Sequence, residues 1–168
     1  MKRFAAILSL ILFAALGLSA QDWIRTGTGL GVEKIRLASP DFKRITTDSG
    51  TNNLAMTFDT TLQSDLQNAG IFEMVSRSFW PTSLPGAPQE VHLADWSSPP
   101  PNANMLAFGN LSVQGGYLNV QGWLFDTKNT QSPQVLGKQY REQATDENAR
   151  LIAHRFQHFG RTNGRNER

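Results

Sequence analysis

The spacing of apolar positions singles out residues 53–75 as the segment around which the chain is organised. Leu54, Ala55, Phe58, Leu62, Leu66 and Ala69 fall on one stripe at helical spacing, with Thr60, Gln63, Ser64 and Gln67 facing away. Asn52 or Asn53 can cap the start, because a short side-chain acceptor satisfies a free backbone N–H there. Gly70 suits the left-handed position that ends a helix. Residues 71–75 follow at once as an apolar, β-prone run, a strand expected to be buried on both faces. A helix that returns to a sheet after one glycine implies compact α/β packing.

Upstream, residues 33–38 alternate charge with Ile35 and Leu37 and are expected to form a first strand, closed by Pro40. Residues 41–51 are polar and turn-rich. The strand–helix–strand crossover is expected to be right-handed and to leave its two strands parallel. Residues 76–104 form a long polar, proline-bearing segment containing Phe79, Trp80 and Trp96. A loop of this length covers something or binds something, and covering is the expectation. From Met105 onward the pattern is of consecutive strands: 105–109, then 111–113, a Gly115-Gly116 turn, and 117–126 as a hairpin partner. Leu118, Val120, Gly122 and Leu124 share one face of that partner, and Asn119, Gln121 and Trp123 the other. After a polar turn at 127–133, residues 135–141 supply the last strand. Thr145, followed by Asp146 and Glu147, starts a second helix with Ala149, Ile152, Ala153 and Phe156 on its buried face. The expected fold is α/β (α+β): a mixed, roughly five-stranded sheet with two helices packed on one face.

The two ends read differently from this body. Lys2 and Arg3 precede an uncharged apolar run that ends in small residues, the pattern of a secretory signal peptide over residues 1–20. A membrane anchor is the competing reading, but the run is short for a bilayer span of about 20 residues, so no stable span is expected after cleavage. Cleavage is expected after Ala20, with Ser19 as the alternative. Residues 21–33 then form a flexible arm, in which Trp23 and Ile24 precede a glycine-rich hinge at 27–31. Those glycines lack the flanking strand and helix of a dinucleotide loop. Residues 157–168 are a polar, glycine-broken basic tail.

Charge adds little. Of sixteen Lys and Arg, two belong to the signal peptide, leaving fourteen against fourteen Asp and Glu. No basic stripe interleaved with aromatics runs through the body, so nucleic acid is not expected as a partner. There is no cysteine, which excludes disulfides and lipid attachment at a processed cysteine. The catalytic inventory is thin: no G-x-S-x-G elbow, no phosphate loop and no H-E-x-x-H. His154 and His158 are four apart on the second helix, but two histidines without a third ligand do not make a recognisable metal site, and none is expected. His92 stands alone. Asp65 falls at the edge of the apolar stripe, where a carboxylate must reach water, a backbone N–H or a cation. It reads as a structural acceptor or, less simply, a general acid, and neither a catalytic residue nor a cofactor is expected.

The run Asp65-Leu66-Gln67-Asn68-Ala69-Gly70-Ile71-Phe72 resembles the helix-to-strand signature of the TolB family's N-terminal domain, with Asp65, Leu66, Asn68, Gly70 and Phe72 at its marked positions. Trp96 follows the second strand at about the family's distance. The hairpin around Gly116-Tyr117-Leu118-Asn119-Val120 and Leu124-Phe125-Asp126 is also similar to the family's pattern. The resemblance covers residues 34–156. It implies a periplasmic, non-enzymatic interaction domain of the Tol–Pal envelope system, with a mixed sheet and two helices. It also implies that the extreme N-terminal segment binds a TolA-like inner-membrane protein, here by the arm residues Asp22, Trp23, Ile24 and Arg25, whose position alone corresponds. The family's β-propeller, which carries the Pal-binding surface, has no counterpart in the strand repeats of these 168 residues, so Pal binding is not expected and the chain reads as a truncated form. A second reading is a secreted small-molecule or glycan-binding module using Trp80, Trp96 and Trp123. It requires those rings to line an open cleft.

Overall fold

The computed structural model of the chain describes residues 34–158. The expectations for the signal peptide, the arm with Asp22, Trp23, Ile24 and Arg25, and nearly all of the tail lie outside those residues. The described elements run in order β1 (Ile35–Ala38), β2 (Lys43–Arg44), α1 (Ser49–Asn68), β3 (Phe72–Met74), two short 3-10 turns (Arg77–Phe79 and Pro88–Glu90), α2 (Leu93–Ser97), β4 (Met105–Gln114), β5 (Tyr117–Asp126), β6 (Gln134–Gln143) and α3 (Asp146–Gln157).

One mixed sheet holds all the strands, in the order β3-β1-β4-β5-β6. β1 lies parallel to both β3 and β4, as the crossover through α1 requires. β4, β5 and β6 form an antiparallel meander. The count is six rather than five, because β2 also pairs with β4, in parallel, at Asn110 and Leu111. β1 takes the other end of β4, at Met105 and Leu106, so two short strands share one side of one long strand.

Both long helices lie on the same face. Leu54, Phe58, Leu62 and Leu66 of α1 and Ile152 and Phe156 of α3 form one core with Leu111, Leu118, Val120 and Leu124 of the sheet. Each large side chain fully buried in this way contributes about 1.5–3 kcal/mol. The alternation expected in β5 holds, with Leu118, Val120, Gly122 and Leu124 all buried. Gly122 pairs with Gly109 of β4, and the two make a floor without side chains. A Cβ on Gly122 would stand 2.5 Å from the Phe156 ring, and one on Gly109 would collide with the Phe42 ring and the Gln121 carbonyl. Phe42 meets Phe156 edge-on at 5.6 Å and Phe58 at 4.8 Å, so the glycine pair seats an aromatic cluster.

The opposite face is covered by the 76–104 segment. Trp96 of α2 is 2% exposed and packs with Val75, Ala103, Leu106, Phe108 and Phe125. Trp80 and Trp123 close over the same cluster. The long loop therefore acts as the sheet's second layer.

Three local expectations are corrected. α1 starts at Ser49, capped by Asp48 rather than by Asn52 or Asn53: Asp48 accepts from the Thr51 amide at 2.8 Å and from its hydroxyl at 2.6 Å. The Thr51 hydroxyl bond holds the Asp48 carboxyl below the usual carboxylate range. β3 is not buried on both faces. It is the edge of the sheet, with Phe72 turned into the core but Glu73 exposed and Ile71 half exposed. The last strand is longer than expected, running from Gln134 to Gln143.

Candidate functional site

The signature residues at the end of α1 build the β3 edge of the sheet. Leu66 and Phe72 are anchors in the core. The helix closes with the Ala69 amide on the Asp65 carbonyl at 2.9 Å. Gly70 then adopts φ +75°, a backbone that side-chain-bearing residues resist. That one residue turns the chain so that the Ile71 carbonyl accepts the Ile35 amide at 3.0 Å, bringing Phe72 opposite Ile35. Asn68 stays on the surface, its amide donating to the Ser64 hydroxyl at 3.3 Å.

Asp65 acts as a structural acceptor across the helix pair. Its Oδ2 lies 2.5 Å from His154 Nδ1 and clips α1 to α3. His154 is thereby paired with Asp65 at the surface, and His92 and His158 are exposed as well. No group of three or more His, Asp or Glu is placed to hold a metal among the described residues.

β3 therefore lies beside the first residues of β1. Among the described residues, no strand lies on the outer side of β3. Ile71, just before β3, is 51% exposed, and Ile35 at the start of the adjoining β1 is 42% exposed. Arg36 reaches sideways from β1, pairing with Glu73 of β3 and donating to the Pro101 carbonyl at 3.0 Å and the Asn102 carbonyl at 3.2 Å. It ties the edge to the loop before β4. An edge strand with exposed isoleucines beside it and a fixed frame can accept an added strand.

The tryptophans do not converge on a binding cleft. Trp96 is buried, and Trp80 and Trp123 lie over the same apolar layer, Trp123 stacking on Phe108 at 5.7 Å.

A second carboxylate escaped the sequence reading. Asp59 of α1 is buried, and its Oδ1 accepts the Phe42 amide at 3.0 Å. Burial pushes its pKa up to about 7, opposed chiefly by that amide. Its signal was present, since it follows Phe58 on the same helix. Asp59 and Asp65 flank the apolar stripe on opposite sides, about 120° apart around the helix.

The family profile of the TolB amino-terminal domain matches residues 28–132. No curated protein matches the chain. Among solved structures, TolB from Acinetobacter baumannii is similar with a TM-score of 0.56 at 16% identity, over 76% of this chain and 27% of that one. The present chain thus spans about a quarter of that TolB's length, and the likeness shows the fold. The lipoprotein GNA1162 from Neisseria meningitidis is similar with a TM-score of 0.50 at 9% identity, over 76% of this chain and 98% of that one. Mixed sheet, paired helices, the Gly70 stop and the matched span agree: the chain belongs to the TolB amino-terminal domain family.

Proposed function

We propose that this chain is a periplasmic, non-enzymatic protein-interaction domain of the Tol–Pal cell-envelope system. The observation that carries the reading is the family match over residues 28–132, in which the signature residues serve to frame an open strand edge. The partner is a TolA-like inner-membrane protein, and the binding element is the arm with Asp22, Trp23, Ile24 and Arg25. Trp23 and Ile24 need cover, which either the domain's own edge or a partner's sheet can offer by strand addition. Competition between those two states makes binding adjustable. No helix among the described residues is long and apolar enough to cross a membrane. The small-molecule or glycan reading is not favoured, since Trp96 is packed into the sheet's covering layer.

The test is binding of the chain from Gln21 onward to the C-terminal domain of TolA from the same organism, with and without residues 21–27. Loss of binding on deletion is expected. Equal affinity of the two forms, or no binding by either, would overturn the assignment to the arm.

A further inference from the structure

Along the flank of α1 opposite α3 runs a cleft of about 460 Å3, walled by Arg44 of β2, Arg77 of the first 3-10 turn and Asn52, Met56 and Asp59 of α1. Its two arginines are used differently. Arg77 is committed: it holds Asp41 through two bonds, 2.7 and 3.1 Å, with its guanidinium 5.1 Å over the Trp80 ring. Arg44 is not. Its side chain is two-thirds buried, yet its only ionic contact among the described residues is Nη2 to Asp59 Oδ2 at 3.5 Å. A guanidinium offers five donors in a planar fork, and one contact at that length leaves most of it without a protein acceptor. Met56, 59% exposed, supplies an apolar shelf in the same cleft.

We propose that this cleft docks an acidic side chain of an extended segment of a partner protein, with the carboxylate on the Arg44 fork and a neighbouring apolar residue on Met56. A carboxylate matches the fork in shape and charge. A dianion such as phosphate fits less well, because Asp41 and Asp59 line the same walls. Asp59 sets a pH dependence. The charged groups facing it are Asp41, Arg44 and Arg77, and those of α3 nearest α1 turn elsewhere, Asp146 to Thr57 and His154 to Asp65. When Asp59 takes up a proton, Arg44 loses its counter-charge, and Asp59 gains a donor for the incoming carboxylate. Docking therefore strengthens as pH falls through about 7.

The experiment is an NMR titration of the purified chain, following Arg44 Nε–H and the Asn52 side-chain amide. The probes are the blocked peptide Gly-Glu-Leu-Gly, its Gly-Gln-Leu-Gly counterpart and inorganic phosphate. Saturable shifts are expected with the Glu peptide alone, with affinity roughly tenfold higher at pH 6 than at pH 8, the ratio in which a group of pKa about 7 holds its proton. Arg44→Lys, which keeps the charge and loses the fork, weakens binding, and Met56→Ala does so without touching a charge. Deleting residues 21–27 changes nothing here, so this site stands or falls apart from the arm. Equal shifts with the Gln peptide, tighter binding of phosphate, or no shift at millimolar Glu peptide would each overturn the proposal.

Discussion

Asp59→Asn tests the electrostatics of the α1 flank quantitatively. Asp59 is 9% exposed and its pKa stands at about 7 in the fold, against 3.8 for the free group. The folded state therefore holds this proton more tightly than the unfolded chain does. Between the two values the native state carries more protons, so the residue's contribution falls as pH rises, and the loss is complete above about 7. A difference of that size corresponds to about 4 kcal/mol over the whole window. Between pH 5 and pH 8 the share is roughly 2.5 kcal/mol, a large part of the 5–15 kcal/mol typical of a domain. Asparagine keeps the Oδ1 acceptor for the Phe42 amide and cannot ionise. Urea unfolding of wild type and variant, read by tryptophan fluorescence at pH 5, 6, 7 and 8, gives the difference in stability at each pH. That difference is expected to move by roughly 2.5 kcal/mol in the variant's favour across the series. Asp48 and Glu90, whose carboxyls are held low by the Thr51 hydroxyl and the Gly86 amide, contribute in the opposite sense and lose their contribution as pH falls, but they cancel in the comparison. Parallel profiles for the two proteins would show that Asp59 is not buried as a strained acid.

Other substitutions probe the frame. Gly109→Ala is expected to cost about 1–3 kcal/mol or more, since its Cβ meets the Gln121 carbonyl as well as the Phe42 ring, and an unshifted thermal midpoint would rule out that close packing. Gly70→Val is expected to destabilise by more than about 1 kcal/mol through its positive φ alone, there being no atom within 4 Å of the site for a Cβ to strike. Gly70→Asn, better suited to that backbone, is expected to cost less, and the reverse order in denaturant midpoints would discredit the argument. Trp96→Ala is expected to cost about 3–5 kcal/mol and to expose the second face of the sheet, detectable as dye binding; retention of the native midpoint would mean that the 76–104 segment is dispensable.

Much of this architecture can be read in the chain because it is written locally. The α1 stripe, the alternation in β5, the Gly115-Gly116 turn and the Thr145 cap each depend on neighbours within a few residues, and each is found where expected. What escaped depends on distant partners. Lys43 and Arg44 are too few to show any period, and they become a strand because Asn110 and Leu111 lie beside them. Ile71 looks like an interior residue, yet among the described strands β3 has only β1 beside it. Asp48 captures the helix start because Thr51 offers both an amide and a hydroxyl, a pairing that outweighs Asn52 or Asn53 as a cap. Asp59 and Asp65 are equivalent in the sequence pattern. Only the packed neighbours, Phe42 and Arg44 for one and His154 for the other, separate their roles.

The arrangement around β4 also governs the order of assembly. Its pairing with β5 closes over two glycines, and β6 follows after a short turn, so the meander is a local event. β1 and β2 reach β4 only across roughly seventy residues of chain, a loop whose ends are costly to bring together. Before β4 is present, the amino-terminal half has β1 and β3 alone, and two short strands do not make a stable sheet. A chain synthesised amino end first therefore carries α1 with its apolar stripe uncovered until the meander has emerged. The strand that anchors the finished sheet is thus also the one that ends the exposure of the unfinished one.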